Sequence, residues 1–112
     1  MNRKTVQRSH MLIFFCAILC VPSVCTPLIA EDAAGLYKSK CAACHGADGS
    51  GTATGKKLGT HEFTSPDVQG MSDDDLSKAI AEGKGKMPAY RKGLSEQQVK
   101  DLVAYVRSLM KK

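Results

Sequence analysis

Cys41-Ala42-Ala43-Cys44-His45 places two thiols three residues apart, with an imidazole directly after the second. At the end of a helix, two thiols so spaced can each add to one vinyl group of a haem, forming two thioethers. The adjacent imidazole then reaches the iron from the same side. This C-x-x-C-H string is the attachment signature of a c-type haem. Other uses of the pair fit less well. A disulfide between Cys41 and Cys44 would close a very small loop and contribute little. A thioredoxin-like redox pair needs a βαβ setting, and no strand pattern surrounds the motif. Zinc needs four ligands in a closed site, and only His61 could join the three of the motif. The expected cofactor is therefore one covalent haem c, held by Cys41 and Cys44, with His45 as the proximal iron ligand.

Haem iron takes two axial ligands, and the candidates for the second are Met71, Met87, Met110 and His61. Met110 falls on the apolar face of the last helix, and Met71 is accounted for as a helix-start packing residue. Met87 stands in a charged, glycine-rich segment where no packing period explains a large apolar side chain. Pro88 biases it towards an extended backbone, which would hold a thioether at a fixed reach from iron. Met87 is the distal ligand expected. Five-coordinate iron with Met87 in solvent, and ligation by His61, are the alternatives.

The elements that must position these groups are helices. Ser95 with Gln98 forms a capping box, and Val99, Leu102, Val103, Val106, Leu109 and Met110 then follow at i, i+3, i+4, i+7, i+10 and i+11. That period predicts a helix over 96–110. A second is predicted over 73–82, capped by Ser72, with Asp73, Asp74 and Asp75 in its first turn, Gly83 at its end, and Met71 and Leu76 as a hydrophobic staple. A third starts near Asp32 and carries Ala33, Leu36 and Tyr37 towards Cys41. Residues 46–70 and 83–94 show no helical or strand period and read as long loops. Loops of that length in a small domain usually serve a function. The fold class expected is all-α: three to four helices with long loops wrapped around one covalent haem.

The 112 residues allow one small domain, and they are not evenly composed. Residues 2–10 carry Arg3, Lys4 and Arg8 without an acid, residues 11–25 carry no charge, and every acid lies at Glu31 or beyond. This is the plan of an export signal, so residues 1–30 are read as a cleaved leader and 31–112 as the functional domain. An uncleaved anchor facing the periplasm is the alternative, although the apolar run falls short of the ~20 residues a spanning helix needs. None of Cys16, Cys20 and Cys25 follows a lipoprotein pattern. Without the leader, 13 basic residues face 11 acidic ones, a balance that does not suit a nucleic-acid binder. The same segment has no Trp, and its only aromatics are Tyr37, Phe63, Tyr90 and Tyr105. A domain this small and this poor in aromatics needs a metal, staple or cofactor to complete its core.

Taken together, Gly35, Tyr37, Cys41, Cys44, His45, Gly46, Gly85, Met87, Pro88 and Tyr105 resemble a small bacterial mono-haem class I cytochrome c. The resemblance spans residues 33–110. It implies that the first and last helices cross, with Gly35 letting an aromatic near Tyr105 approach closely, and that one haem edge is exposed near the cysteines and the Met87 loop. In many relatives a proline carbonyl soon after the motif accepts the proximal histidine's Nδ1 proton, and relatives often place a Trp near the propionates. Here the first proline after the motif is Pro66, 21 residues past His45, and there is no Trp. The function implied is a periplasmic, monomeric one-electron carrier, not an enzyme, moving electrons between respiratory or dehydrogenase partners. Lys84, Lys86, Arg91 and Lys92 around Met87 would either favour acidic docking surfaces or only keep a glycine-rich loop solvated, and Lys56 or Lys57 could neutralise propionates or sit in water. A haem sensor or peroxidase-like protein with a displaceable sixth ligand is the alternative.

Overall fold

The protein, described by a computed structural model over residues 28–111, has six helices in chain order: α1 (Leu28–Lys40), α2 (Ala42–His45), α3 (Ala53–Lys57), α4 (Pro66–Gln69), α5 (Asp73–Glu82) and α6 (Glu96–Met110). Among the described residues there is no strand, only an isolated antiparallel bridge between Lys84 and Met87. Residues 1–27, most of the leader expected over 1–30, lie outside this range.

The two long capped helices have the bounds their sequence predicts, because both ends are specified locally. At α5 the Asp75 backbone N–H donates to the Ser72 hydroxyl at 3.1 Å, and the Ser72 N–H donates back to the Asp75 carboxylate at 3.1 Å. At α6 the Gln98 N–H donates to Ser95 Oγ at 3.1 Å, and the Ser95 N–H donates to Gln98 Oε1 at 2.9 Å. Each box satisfies two helix-start donors that would otherwise lack partners.

The core forms where α1 crosses α6 and α5 leans on α6. The inner face of α6 buries Val99, Leu102, Val103, Val106, Leu109 and Met110. Ala33 and Tyr37, one turn apart on α1, are each only 2 % exposed. The Tyr37 and Tyr105 rings meet at 5.2 Å between centroids, a distance typical of favourable aromatic pairs. Arg107 ties α6 to the start of α5, donating from its Nε to Asp73 at 2.9 Å and from its NH2 group to the Met71 carbonyl at 2.6 Å.

Three expectations need correction. Residues 46–70 are not structureless, since α3 and α4 fall within them. With five and four residues they are too short to show a period, and each is set by its start: Thr52 Oγ1 accepts from the Gly55 N–H at 3.0 Å, and Pro66 occupies the first turn of α4. The helix number is accordingly six among the described residues rather than three or four. The α1–α6 crossing is present, but Gly35 does not create it. Gly35 is exposed and a side chain there would meet nothing within 4 Å. Tyr37 makes the contact with Tyr105 instead.

Candidate functional site

The C-x-x-C-H motif begins as α1 ends. The Cys41 N–H donates to the Tyr37 carbonyl at 2.8 Å, and the His45 N–H donates to the Cys41 carbonyl at 2.9 Å. One tight turn thus presents both thiols and the imidazole. The segment after it holds that turn from outside. The carbonyls of His45 and Cys44 accept from the backbone N–H groups of Gly51 (2.7 Å) and Thr52 (2.9 Å), and the Ala43 carbonyl accepts from Thr52 Oγ1 at 2.8 Å. Tyr37 O–H donates to the Gly46 carbonyl at 2.7 Å, pinning the motif's exit to α1. Gly55 packs so closely on the Cys44 backbone that a Cβ would overlap the Cys44 carbonyl.

The opposite wall is the 83–94 loop. Met87 N–H donates to the Lys84 carbonyl at 3.0 Å, and the N–H groups of Tyr90 and Arg91 donate to the Ile80 and Ala81 carbonyls of α5 at 3.1 and 3.0 Å. Tyr90 O–H then crosses to the Lys40 carbonyl at 2.9 Å, joining this loop to the residue just before Cys41.

A cavity of about 490 Å³ is lined both by Cys41, Cys44 and His45 of the motif and by Met87 and Pro88 of this loop. Its lining includes the apolar Leu76, Ile80, Leu102 and Val106 and the basic Lys40, Lys84 and Lys86. The fold therefore brings together all four residues expected to hold the haem. His61 and Met71 also border the cavity, whereas Met110 is buried in the core away from it. His61 is two-thirds exposed and its Nδ1 lies 2.7 Å from the Asp67 carboxylate. Lys56 and Lys57 do not line the cavity, and Lys56 pairs with Glu62 at 3.1 Å. Arg91, grouped by sequence with the positive collar, is paired with Glu82 at 2.6 Å.

The chemistry of the lining suits a c-type haem. Cys41 and Cys44 are free thiols. Burial pushes the Cys41 thiol up, against the opposing charge of Lys40. Burial pushes the His45 imidazole down, keeping it neutral with a lone pair to offer. His45 Nδ1 is buried without a hydrogen-bond partner among the described residues. Leu58, the exposed large apolar side chain among the described residues at 42 %, sits at the cavity edge where a flat apolar group would cover it. The sequence reading missed two contacts made here: the Phe63 ring stacked on His45 and the Tyr90 crossing to Lys40. Nothing in local spacing signals either one.

Residues 29–106 match the family model described as cytochrome C oxidase, cbb3-type, subunit III. The chain is 30 % identical over 76 residues to cytochrome c6 of Bryopsis maxima, covering 68 % of this chain and 86 % of that one. It is 33 % identical over 108 residues to cytochrome c-553 of Nitratidesulfovibrio vulgaris, covering 82 % and 97 %. The solved structure of the KustC0563 c-type cytochrome superposes with a TM-score of 0.65 at 34 % identity, covering 69 % of this chain and 95 % of that one. The family match runs from α1 into α6 and so includes the C-x-x-C-H turn. The chain belongs to the cytochrome c family and is a haem c electron carrier rather than an enzyme.

Proposed function

We propose that this chain is an exported, periplasmic one-electron carrier in which Cys41 and Cys44 bind one haem covalently and His45 and Met87 fill both axial positions of its iron. The observation that supports this most directly is that Cys41, Cys44, His45 and Met87 all line one largely apolar cavity. A c-type haem bound there supplies a one-electron Fe(III)/Fe(II) couple. Cys41 and Cys44 would each hold it through a thioether, made by adding S–H across a vinyl group. His45 offers Nε2 from the neutral imidazole that burial favours. The Met87 thioether, soft and uncharged, favours the reduced metal and raises the potential. An iron held by both His45 and Met87 would have no open position for oxygen or peroxide. The apolar lining excludes water, while the cavity mouth stays accessible for electron exchange.

Lys40, Lys84 and Lys86 in the lining suit a partner with an acidic docking surface. The description of the matched family model makes a membrane oxidase complex a partner to test. Among the described residues no helix is long and apolar enough to cross a membrane. The leader expected over residues 1–30 lies almost wholly outside the described range, and α1 begins at Leu28.

Protein matured in a host able to attach c-type haem tests this reading. Intact mass is expected to show one haem, and spectra to be low-spin in both oxidation states. Met87→Ala is expected to remove the methionine–Fe(III) charge-transfer absorption and lower the midpoint potential while the haem stays attached. Loss of that absorption in Met71→Ala instead would assign the distal position to Met71, and a low-spin wild-type spectrum without it would assign the position to His61. Ready binding of carbon monoxide or cyanide by the wild-type protein would favour a sensor or peroxidase-like role.

A further inference from the structure

Histidines that ligate metals almost always donate their other N–H to a carbonyl, carboxylate or water, which fixes the ring's orientation. Among the described residues no protein group plays this part for His45, whose Nδ1 is buried and unbonded. Its ring lies instead against Phe63, with centroids 4.9 Å apart and planes 29° apart. Phe63 is itself held on several sides. Its N–H donates to the Gly49 carbonyl at 2.9 Å, and its ring meets the edge of Tyr37 at 6.2 Å and 62°. Gly49, at φ +80°, lies so close that a Cβ would overlap the Phe63 ring. Phe63 is 7 % exposed, so it has little room to turn away. The backbone of His45 is bonded through both its N–H and its carbonyl, but those bonds leave rotation of the imidazole about Cβ–Cγ free. The stacked face of Phe63 restricts that rotation.

We propose that Phe63 is the positioning residue for the proximal imidazole, setting the orientation of the His45 plane by stacking in place of a hydrogen-bond acceptor. The proposal rests on His45 being the iron ligand. An imidazole plane that turns relative to the porphyrin redistributes unpaired spin over the ring, so orientation has a signature separate from stability.

The test is nuclear magnetic resonance of the haem-loaded protein. In the ferric state Phe63→Leu is expected to reorder the haem methyl hyperfine shifts with the charge-transfer band of the distal ligand intact. Phe63→Tyr keeps the aromatic face and is expected to keep the wild-type order. An unchanged order in Phe63→Leu overturns the proposal. The wild-type ferrous protein gives a second readout that needs no variant. The His45 Nδ1 proton is expected to resonate upfield, as an unbonded N–H. A far-downfield, hydrogen-bonded signal overturns the proposal even if the variants fail to mature. A wild-type protein without haem would instead refute the reading of the site itself.

Discussion

The wall that carries His45 and the wall that carries Met87 do the same job by different means. On the proximal side three consecutive carbonyls, those of Ala43, Cys44 and His45, accept hydrogen bonds from residues 51 and 52, and the next, Gly46, accepts from Tyr37. Gly55 presses backbone to backbone against Cys44. On the distal side Met87 has one turn bond to Lys84, and the loop is tied mainly at its end, through Tyr90 and Arg91 to α5 and through the Tyr90 hydroxyl to Lys40. The Arg91–Glu82 pair is exposed, and such pairs contribute little. The proximal turn must present two thiols and a nitrogen in one geometry, so errors there are costly. The distal loop has to deliver one flexible side chain, and a tether at its end suffices.

The largest expected effect breaks the proximal wall. Gly55→Ala forces a methyl group into the Cys44 carbonyl, and overpacking against backbone that cannot yield is expected to cost about 3 kcal/mol. Thermal unfolding should fall accordingly, together with the yield of haem-bearing protein. A variant with wild-type stability would show that the α2–α3 contact is looser than described.

Tyr90→Phe tests the distal tether. Loss of its bond to the Lys40 carbonyl is expected to cost at most about 1 kcal/mol of global stability. The charge-transfer band attributed to Met87 should nevertheless disappear at a lower temperature than in the wild type, ahead of global unfolding. Coincident transitions would mean the two walls melt as one unit.

The smallest effect is read from acid titration. Burial lowers the folded-state value of His45 from 6.5, so the unfolded chain takes up its proton first. The contribution of His45 to stability is therefore complete above about pH 6.5 and declines as the pH falls below it. Denaturant midpoints measured across that range should fall on the acid side. A flat profile would mean that His45 holds the same number of protons in the folded and the unfolded chain.

How much of this was legible in the chain depends on how far apart the interacting residues are. Ser72 with Asp75 and Ser95 with Gln98 are three residues apart, and both helices they start have the predicted bounds. Cys41, Cys44 and His45 form a turn whose chemistry is complete within five residues. α3 and α4 were not legible, because helices of one turn carry no period and follow from a cap or a proline alone. Gly35 was assigned a packing role that belongs to Tyr37, because a glycine in a helix does not reveal which of its neighbours faces the crossing.

The sequence alone determined which atoms are available for chemistry, since thiol spacing, helix caps and apolar period act over one or two turns. Tertiary structure decided how those atoms are aimed. Tyr90 reaches Lys40 across 50 positions, and Phe63 comes to rest on His45 from beyond a helix and two turns. Contacts of that kind arise from packing around a shared cavity, where chain separation carries no information about distance.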